Sequence, residues 1–280
     1  AVEIAKLRMF LKLVSTVDLD PSKPNSGLEP LHDIDFNIRS GNTLIGYVSK
    51  DEIINSITTA LDFDENMEKI TEECDKVKNS FNHYKNIQLD HVERRKEFPV
   101  AKEQLSLRII ELNNKLNILF HEKYYPNIAF NEWLRKYTPF HWYAEFYEII
   151  NEYNGFDIVI GNPPYVEYSL AKKTYQLPKY RYLTEKAGNL YSFVTERSIK
   201  ITREKSRVGL ILPLSAFCTQ RMEIMNNYIL KNSKYMFVSY YGFRPSKLFD
   251  GANRTIGICL FNKKCNDCTN KPVLYSTTYK

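Results

Sequence analysis

Residues 155–165 read Gly-Phe-Asp-Ile-Val-Ile-Gly-Asn-Pro-Pro-Tyr, and this stretch decides the fold class. From Phe156 to Ile160 the run is apolar except at Asp157 and closes on three strand formers, Ile158, Val159 and Ile160. That pattern predicts a strand of a parallel sheet, buried on both faces. It stops at Gly161, and Pro163 and Pro164 follow Asn162. Two successive prolines can neither donate to a ladder nor continue a helix, so they predict a stiff loop. Open α/β sheets bind ligands at the carboxyl ends of their strands, which places Asn162, Pro163, Pro164 and Tyr165 at a candidate active edge.

The loop suits a planar amine. Such an amine is a poor nucleophile because its lone pair is delocalised into the ring. The amide oxygen of Asn162 and the carbonyl of Pro163 can each accept one of its N–H groups and draw the nitrogen toward tetrahedral geometry. Fixed dipoles of this kind are worth roughly 3 kcal/mol each. Tyr165 offers a face on which a planar group can stack. Asn, Pro and Tyr also make ordinary turns; the apolar strand in front is what separates this loop from a chance four-residue match.

GFDIVIGNPPY resembles the catalytic motif of class I, S-adenosylmethionine-dependent amino-methyltransferases. The nearest group is the gamma-class N6-adenine DNA methyltransferases of combined, type IIG-like restriction–modification enzymes. FHWYAEF (140–146) precedes the motif, and NLYSF, GLILP and LFDGANRTIGICLF follow it in the order of that family's later motifs. The resemblance therefore covers most of the chain. It implies an α/β fold, a Rossmann-like methyltransferase core with helices on both faces of a mostly parallel sheet and a long helical insertion. It also implies S-adenosylmethionine as cofactor, DNA as partner, and as acceptor an adenine extruded from the duplex, since a stacked and paired base is out of reach.

On that resemblance Asn162, Pro163, Pro164 and Tyr165 are catalytic, and Tyr165 and Phe249 sandwich the base. Asn42, Thr43 and Asn162 meet the cofactor. Asn42 lies in IRSGNTLIG, where the family places a polar side chain against the cofactor's adenine amine; Thr43 stands where the family often has a bulky apolar residue. The family's glycine-rich cofactor loop and ribose-gripping acid do not occur in the 280 residues. The sequence thus reads as a fragment, with a target-recognition domain expected beyond Lys280 and a fused nuclease domain outside it left open. Two rivals remain at this level: a glutamine or RNA-base methyltransferase, because such loops bind any planar amide or amine, and a non-catalytic DNA-binding or scaffolding fragment.

Charge is divided unevenly. The net charge is +6, but from Gly161 onward 20 Lys and Arg face 7 Asp and Glu, while residues 1–160 hold 19 against 26. A basic half that begins at the candidate loop suits a polyanion. Five cysteines without a dense framework suit a reducing compartment. Cys265 and Cys268 have metal-ligand spacing but no second pair follows, so no metal is expected. No apolar run approaches a membrane span and no signal peptide is evident, so a cytoplasmic protein with no membrane contact is expected.

Along the chain, Ile4, Leu7, Leu11 and Val14 predict an opening helix whose stripe needs a partner. Asp18–Pro30 reads as a loop, and Asp35–Ile38 (DFNI) as a short strand. Residues 1–50 then belong to the core, 51–150 to the insertion and 151–280 to the catalytic half. In the insertion, Ile70, Cys74, Val77 and Phe81, then Leu105, Ile109, Leu112, Leu116 and Leu119, predict a helical hairpin parted near Pro99. His141 reads as structural. Val166–Gly188, with Tyr168, Tyr175, Tyr180, Tyr182, Lys172, Lys173, Lys179 and Arg181, reads as a basic, aromatic segment able to close over a nucleic acid. Asn189–Thr202 predicts a helix, Val208–Leu212 a buried strand, Ser215 onward a helix, and Tyr235–Tyr240 and Thr255–Phe261 two further strands.

Overall fold

The computed structural model describes residues 1–280 except 19, 24, 25, 27–32, 58–62, 90–95, 180, 243–247, 250–253, 266–270 and 278–280; of 63–66 and 89 it describes the backbone alone. Cys268, Tyr180 and most of the expected loop Asp18–Pro30 lie outside the described residues. The helices are α1 (Val2–Val14), α2 (Lys50–Ile57), α3 (Phe63–Leu89), α4 (Phe98–Tyr124), α5 (Phe130–Tyr137), α6 (Trp142–Glu145), α7 (Tyr147–Asn151), α8 (Tyr168–Ala171), α9 (Leu190–Ile201), α10 (Ser215–Cys218) and α11 (Glu223–Asn232). The strands are β1 (Phe156–Gly161), β2 (Thr202–Pro213), β3 (Ser233–Tyr241), β4 (Ile256–Lys263) and β5 (Val273–Ser276). None of the described helices is long and apolar enough to cross a membrane.

Packing separates the chain into two compact units: Ala1–Asn42 with Ala60–Leu116, and Thr43–Thr59 with Asn117–Lys280. These boundaries fall within the helical segment instead of at its ends. In the first unit α3 buries Ile70, Cys74, Val77, Tyr84 and Ile87, and α4 buries Ala101, Leu105, Ile109, Leu112 and Leu116. The seams are those read from periodicity. Lys115 reaches Glu73 at 2.9 Å and the Tyr84 and Phe98 rings lie 5.4 Å apart, so the two helices run antiparallel. Pro99 sits in the first turn of α4, where its missing N–H costs nothing.

α1 forms as expected, but its stripe is uncovered: Ile4 is 62% and Leu7 57% exposed. The strand expected at Asp35–Ile38 is instead a turn, with the Asn37 N–H on the Ile34 carbonyl at 3.0 Å. A strand needs a neighbour for its backbone groups, and here Asp35 is drawn to Lys6 and Lys102 while Phe36 packs edge-on to Tyr84.

The second unit holds the sheet, in the order β1-β2-β4-β3-β5. β1 runs parallel to β2 and β5 to β3, while β4 is antiparallel to both β2 and β3. Four strands thus point one way and β4 alone is reversed, a mostly parallel sheet in an α/β fold. One face is helix-covered. Val208, Leu210, Leu212, Met236, Val238, Cys259 and Phe261 pack there with Tyr191 and Ile199 of α9 and Met225 and Ile229 of α11. α9 is buried on nearly every side, including Thr195, Glu196 and Arg197.

Among the described residues, helix cover, expected on both faces, is met on one. Across the other face the register aligns Ile160, Gly209, Leu260, Phe237 and Tyr275 in one row. Ile160 is 81% and Ile158 65% exposed, and a groove of about 450 Å³ runs over them. β1 is therefore an outer strand with an open face, and the burial on both faces read from its sequence is not found. The cause is positional: β1 ends the sheet, flanked among the described residues by β2 alone, and the face that Ile158 and Ile160 share stays exposed.

Candidate active site

β1 ends at Gly161, opposite Leu210, while β2 runs on to Pro213. The chain then turns at Asn162, which is exposed, passes through buried Pro163 and exposed Pro164, and reaches half-buried Tyr165. The Tyr165 hydroxyl lies 2.9 Å from Asn162 Oδ1 and 3.0 Å from the Ile211 carbonyl, both acceptors. The single O–H is shared between these two acceptors, and it links the ends of the loop to each other and to β2. The Tyr165 ring meets Tyr191 of α9 edge-on, with centroids 6.3 Å apart. Burial pushes its phenol above the ordinary value, and the positive charge of Arg254 opposes that shift. What results is a rigid, solvent-facing amide oxygen at a strand's carboxyl end, beside an aromatic ring.

The segment after the loop is held shut at its base. The Tyr168 N–H donates to the Gly188 carbonyl and the Leu190 N–H to the Val166 carbonyl, each at 2.9 Å. Arg221 donates to the carbonyls of Ala187 at 2.7 Å and Gly188 at 2.9 Å and pairs with Glu167. Residues expected to be free for nucleic acid divide accordingly. Lys172, Lys173 and Lys179 are exposed. Tyr168 and Tyr182 are buried, and Arg181 is turned inward against Glu52 at 2.6 Å. Removing the two large rings from water outweighs holding them open as a platform, so they are structural here.

His141 is fully buried: its Nδ1 accepts the Tyr47 N–H at 3.0 Å, and its Nε2 faces Asn117 Oδ1 at 3.0 Å. Burial, with Arg181 and Arg197 adding to it, pulls the imidazole down to about 3. It is neutral and structural, as read. Trp142 ties β1 to the segment around Thr43: its Nε1 donates to the Thr43 carbonyl at 3.2 Å and its ring packs edge-on to Phe156. Asn42 closes the first unit and is half-buried. Phe249 is 44% exposed, and among the described residues no ring contact joins it to Tyr165. Sequence reading missed Tyr191, the Ile211 carbonyl and Arg254. A hydroxyl on an aromatic after two prolines is the only local hint of the first two partners.

The sheet and the loop define an α/β protein with its candidate site at a strand's carboxyl end. Residues 1–249 match the family model described as Eco57I restriction-modification methylase, so the chain belongs to that family. A protein of Methanocaldococcus jannaschii named as a type II restriction enzyme and methyltransferase is 26% identical, over 94% of this chain and 25% of its own length. The chain thus spans about a quarter of that relative. Among solved structures, a nuclease-deletion mutant of the Type ISP restriction-modification enzyme LlaGI, in complex with a DNA substrate mimic, is similar over 63% of this chain and 19% of its own, at 12% identity and a TM-score of 0.36. A Listeria monocytogenes protein assigned to the class I S-adenosylmethionine-dependent methyltransferases is similar over 44% of this chain and 36% of its own, at 16% identity and a TM-score of 0.32. Structural likenesses this partial say nothing about the chemistry of the loop.

Proposed function

We propose that this chain is part of a site-specific N6-adenine DNA methyltransferase of a restriction–modification system, which uses S-adenosylmethionine and acts on an extruded adenine, with residues 151–280 as the catalytic half of its core. The observation that carries the reading is the exposed Asn162 amide at the end of β1, oriented by the Tyr165 hydroxyl at 2.9 Å. An amide oxygen has two acceptor sites. Tyr165 occupies one and leaves the other for an amine N–H. The Pro163 carbonyl accepts the second N–H, and the prolines hold the two acceptors in fixed relation. Preorganised acceptors aimed at a developing charge lower the barrier without reorganising during the reaction.

Thr43 and Asn162 are the residues of this unit that meet the cofactor, which when bound supplies the electrophilic methyl group. Attack is then favoured by proximity and alignment. The basic balance after Gly161 supports DNA as the polyanion, and the Tyr165 ring, with Phe249 on the other side, supports an unstacked base. Single-turnover methylation of an adenine-containing duplex by the intact protein tests the reading. Asn162→Ala should lower the rate by about 10²–10³, the usual loss for one such contact. A normal rate would reduce the motif to a turn.

A further inference from the structure

Leu44, Ile45, Tyr47 and Val48 are buried but belong to no strand. Buried backbone outside regular structure must find partners, and in this segment every carbonyl from Thr43 to Tyr47 has one. Trp142 Nε1 donates to Thr43 at 3.2 Å. The Tyr182 hydroxyl, at 2.6 Å, and Arg197 Nη2, at 3.1 Å, donate to Leu44. Ile45 is held by the Phe140 N–H at 2.7 Å, Gly46 by Arg181 Nη2 at 2.7 Å, and Tyr47 by the Tyr143 N–H at 3.2 Å. Side chains and loop amides thus stand in for a neighbouring strand.

Two of those donors, Arg181 and Tyr182, come from the chain that leaves the Asn162–Tyr165 loop. The Arg181 side chain is 7% exposed and shares Nη2 between Gly46 and Glu52, whose Oε2 lies 2.6 Å away and also accepts the Val48 N–H at 3.0 Å. Its guanidinium lies over the rings of Tyr47, Phe120 and Tyr124 at 5.0 to 5.6 Å, and its Nε has no hydrogen-bond partner. Stability alone does not explain such a group. Buried ion pairs replaced by apolar side chains of similar volume are often as stable or more so. What an apolar residue cannot reproduce is a charged donor that holds a backbone carbonyl and a carboxylate from one nitrogen while its planar group lies against the three rings.

We propose that Arg181 is a positioning residue that ties the Thr43 edge to the chain leaving the catalytic loop, so that cofactor and DNA are bound by one coupled frame. The inference rests on the methyl-transfer reading of the loop. The test uses the intact protein, with calorimetric affinity for S-adenosylhomocysteine measured with and without duplex DNA. Arg181→Lys keeps the charge but is shorter and loses the planar group over the three rings and the Nη1 donor to the Tyr124 hydroxyl at 3.4 Å, and Tyr182→Phe removes one donor to Leu44 while Arg197 remains. Each should weaken the cofactor product by roughly five- to tenfold and bring the DNA-dependent change in its affinity toward none, in the range typical of coupled sites. Cofactor-free DNA affinity should stay unchanged.

If Arg181→Lys does not fold, Tyr182→Phe decides alone. Wild-type binding matched by both variants overturns the positioning role and leaves the methyl-transfer reading standing. A parallel fall in cofactor affinity, DNA affinity and melting temperature also overturns it, since that is what a merely structural clamp gives. Wild-type protein that binds no S-adenosylhomocysteine takes down both.

Discussion

The Tyr165 hydroxyl sits 2.9 Å from Asn162 Oδ1, so the last residue of the loop orients the first across two prolines. From sequence Tyr165 has only a stacking role, for which phenylalanine would serve. With the hydroxyl engaged, the ring and the hydroxyl have separable parts to play.

Tyr165→Phe should therefore lower the single-turnover methylation rate by about tenfold, the value of one modest hydrogen bond, while cofactor affinity stays put. Tyr165→Ala should lose the ring as well and fall further. Asn162→Asp, which keeps an acceptor oxygen, should retain more activity than Asn162→Ala. A Tyr165→Phe rate equal to wild type would return the residue to stacking alone.

His141 predicts an acid-sensitive fold. Its native value is depressed to about 3, against roughly 6.5 in the unfolded chain. The neutral form is therefore favoured by folding, and this contribution is complete above about pH 6.5 and lost as pH falls toward the native value. Between pH 7 and 4 it amounts to roughly 3 kcal/mol. Urea unfolding across that range should show the slope in wild type and lack most of it in His141→Gln. Parallel slopes in the two proteins would remove His141 as the cause.

The basic half predicts salt-dependent DNA affinity, because phosphate contacts release counterions. Raising salt from about 50 to 200 mM should cost the intact protein roughly a hundredfold in affinity, the loss expected from about four contacts. Fluorescence anisotropy with a labelled duplex reads this directly. Affinity independent of salt would mark the basic residues as solvated surface.

Two glycines of the sheet should respond differently to alanine. At Gly257 a Cβ would stand 2.8 Å from Phe217 Cε2, a ring that packs edge-on to Tyr240. Gly257→Ala should cost about 1–3 kcal/mol by overpacking. At Gly209 the Cβ would meet the ends of Leu260 and Ile160, at 3.0 and 3.6 Å, on the open face. Those ends can swing into solvent, so Gly209→Ala should change stability by less than about 0.5 kcal/mol. Thermal melts of the two variants would test the openness of that face.

Local pattern made β1, the proline loop, the α3 and α4 seams and strands β2 to β4 legible, though not β5, because side-chain period and proline's missing donor act within a few residues of themselves. The same locality explains the misreadings. Asp35–Ile38 has strand-forming residues but no strand beside it, and Ile158 and Ile160 are apolar but lie on an outer strand with an open face. Whether Tyr165 stacks or donates depended on the Ile211 carbonyl, 46 positions away and placed by the parallel register of β1 and β2. The Leu44 carbonyl found Tyr182 across 138 positions. Residue order was enough to set which side chains make up the motif and its strand. Their partners were settled in the folded state, because a hydrogen bond between distant residues is chosen by packing in space and leaves no period in the chain.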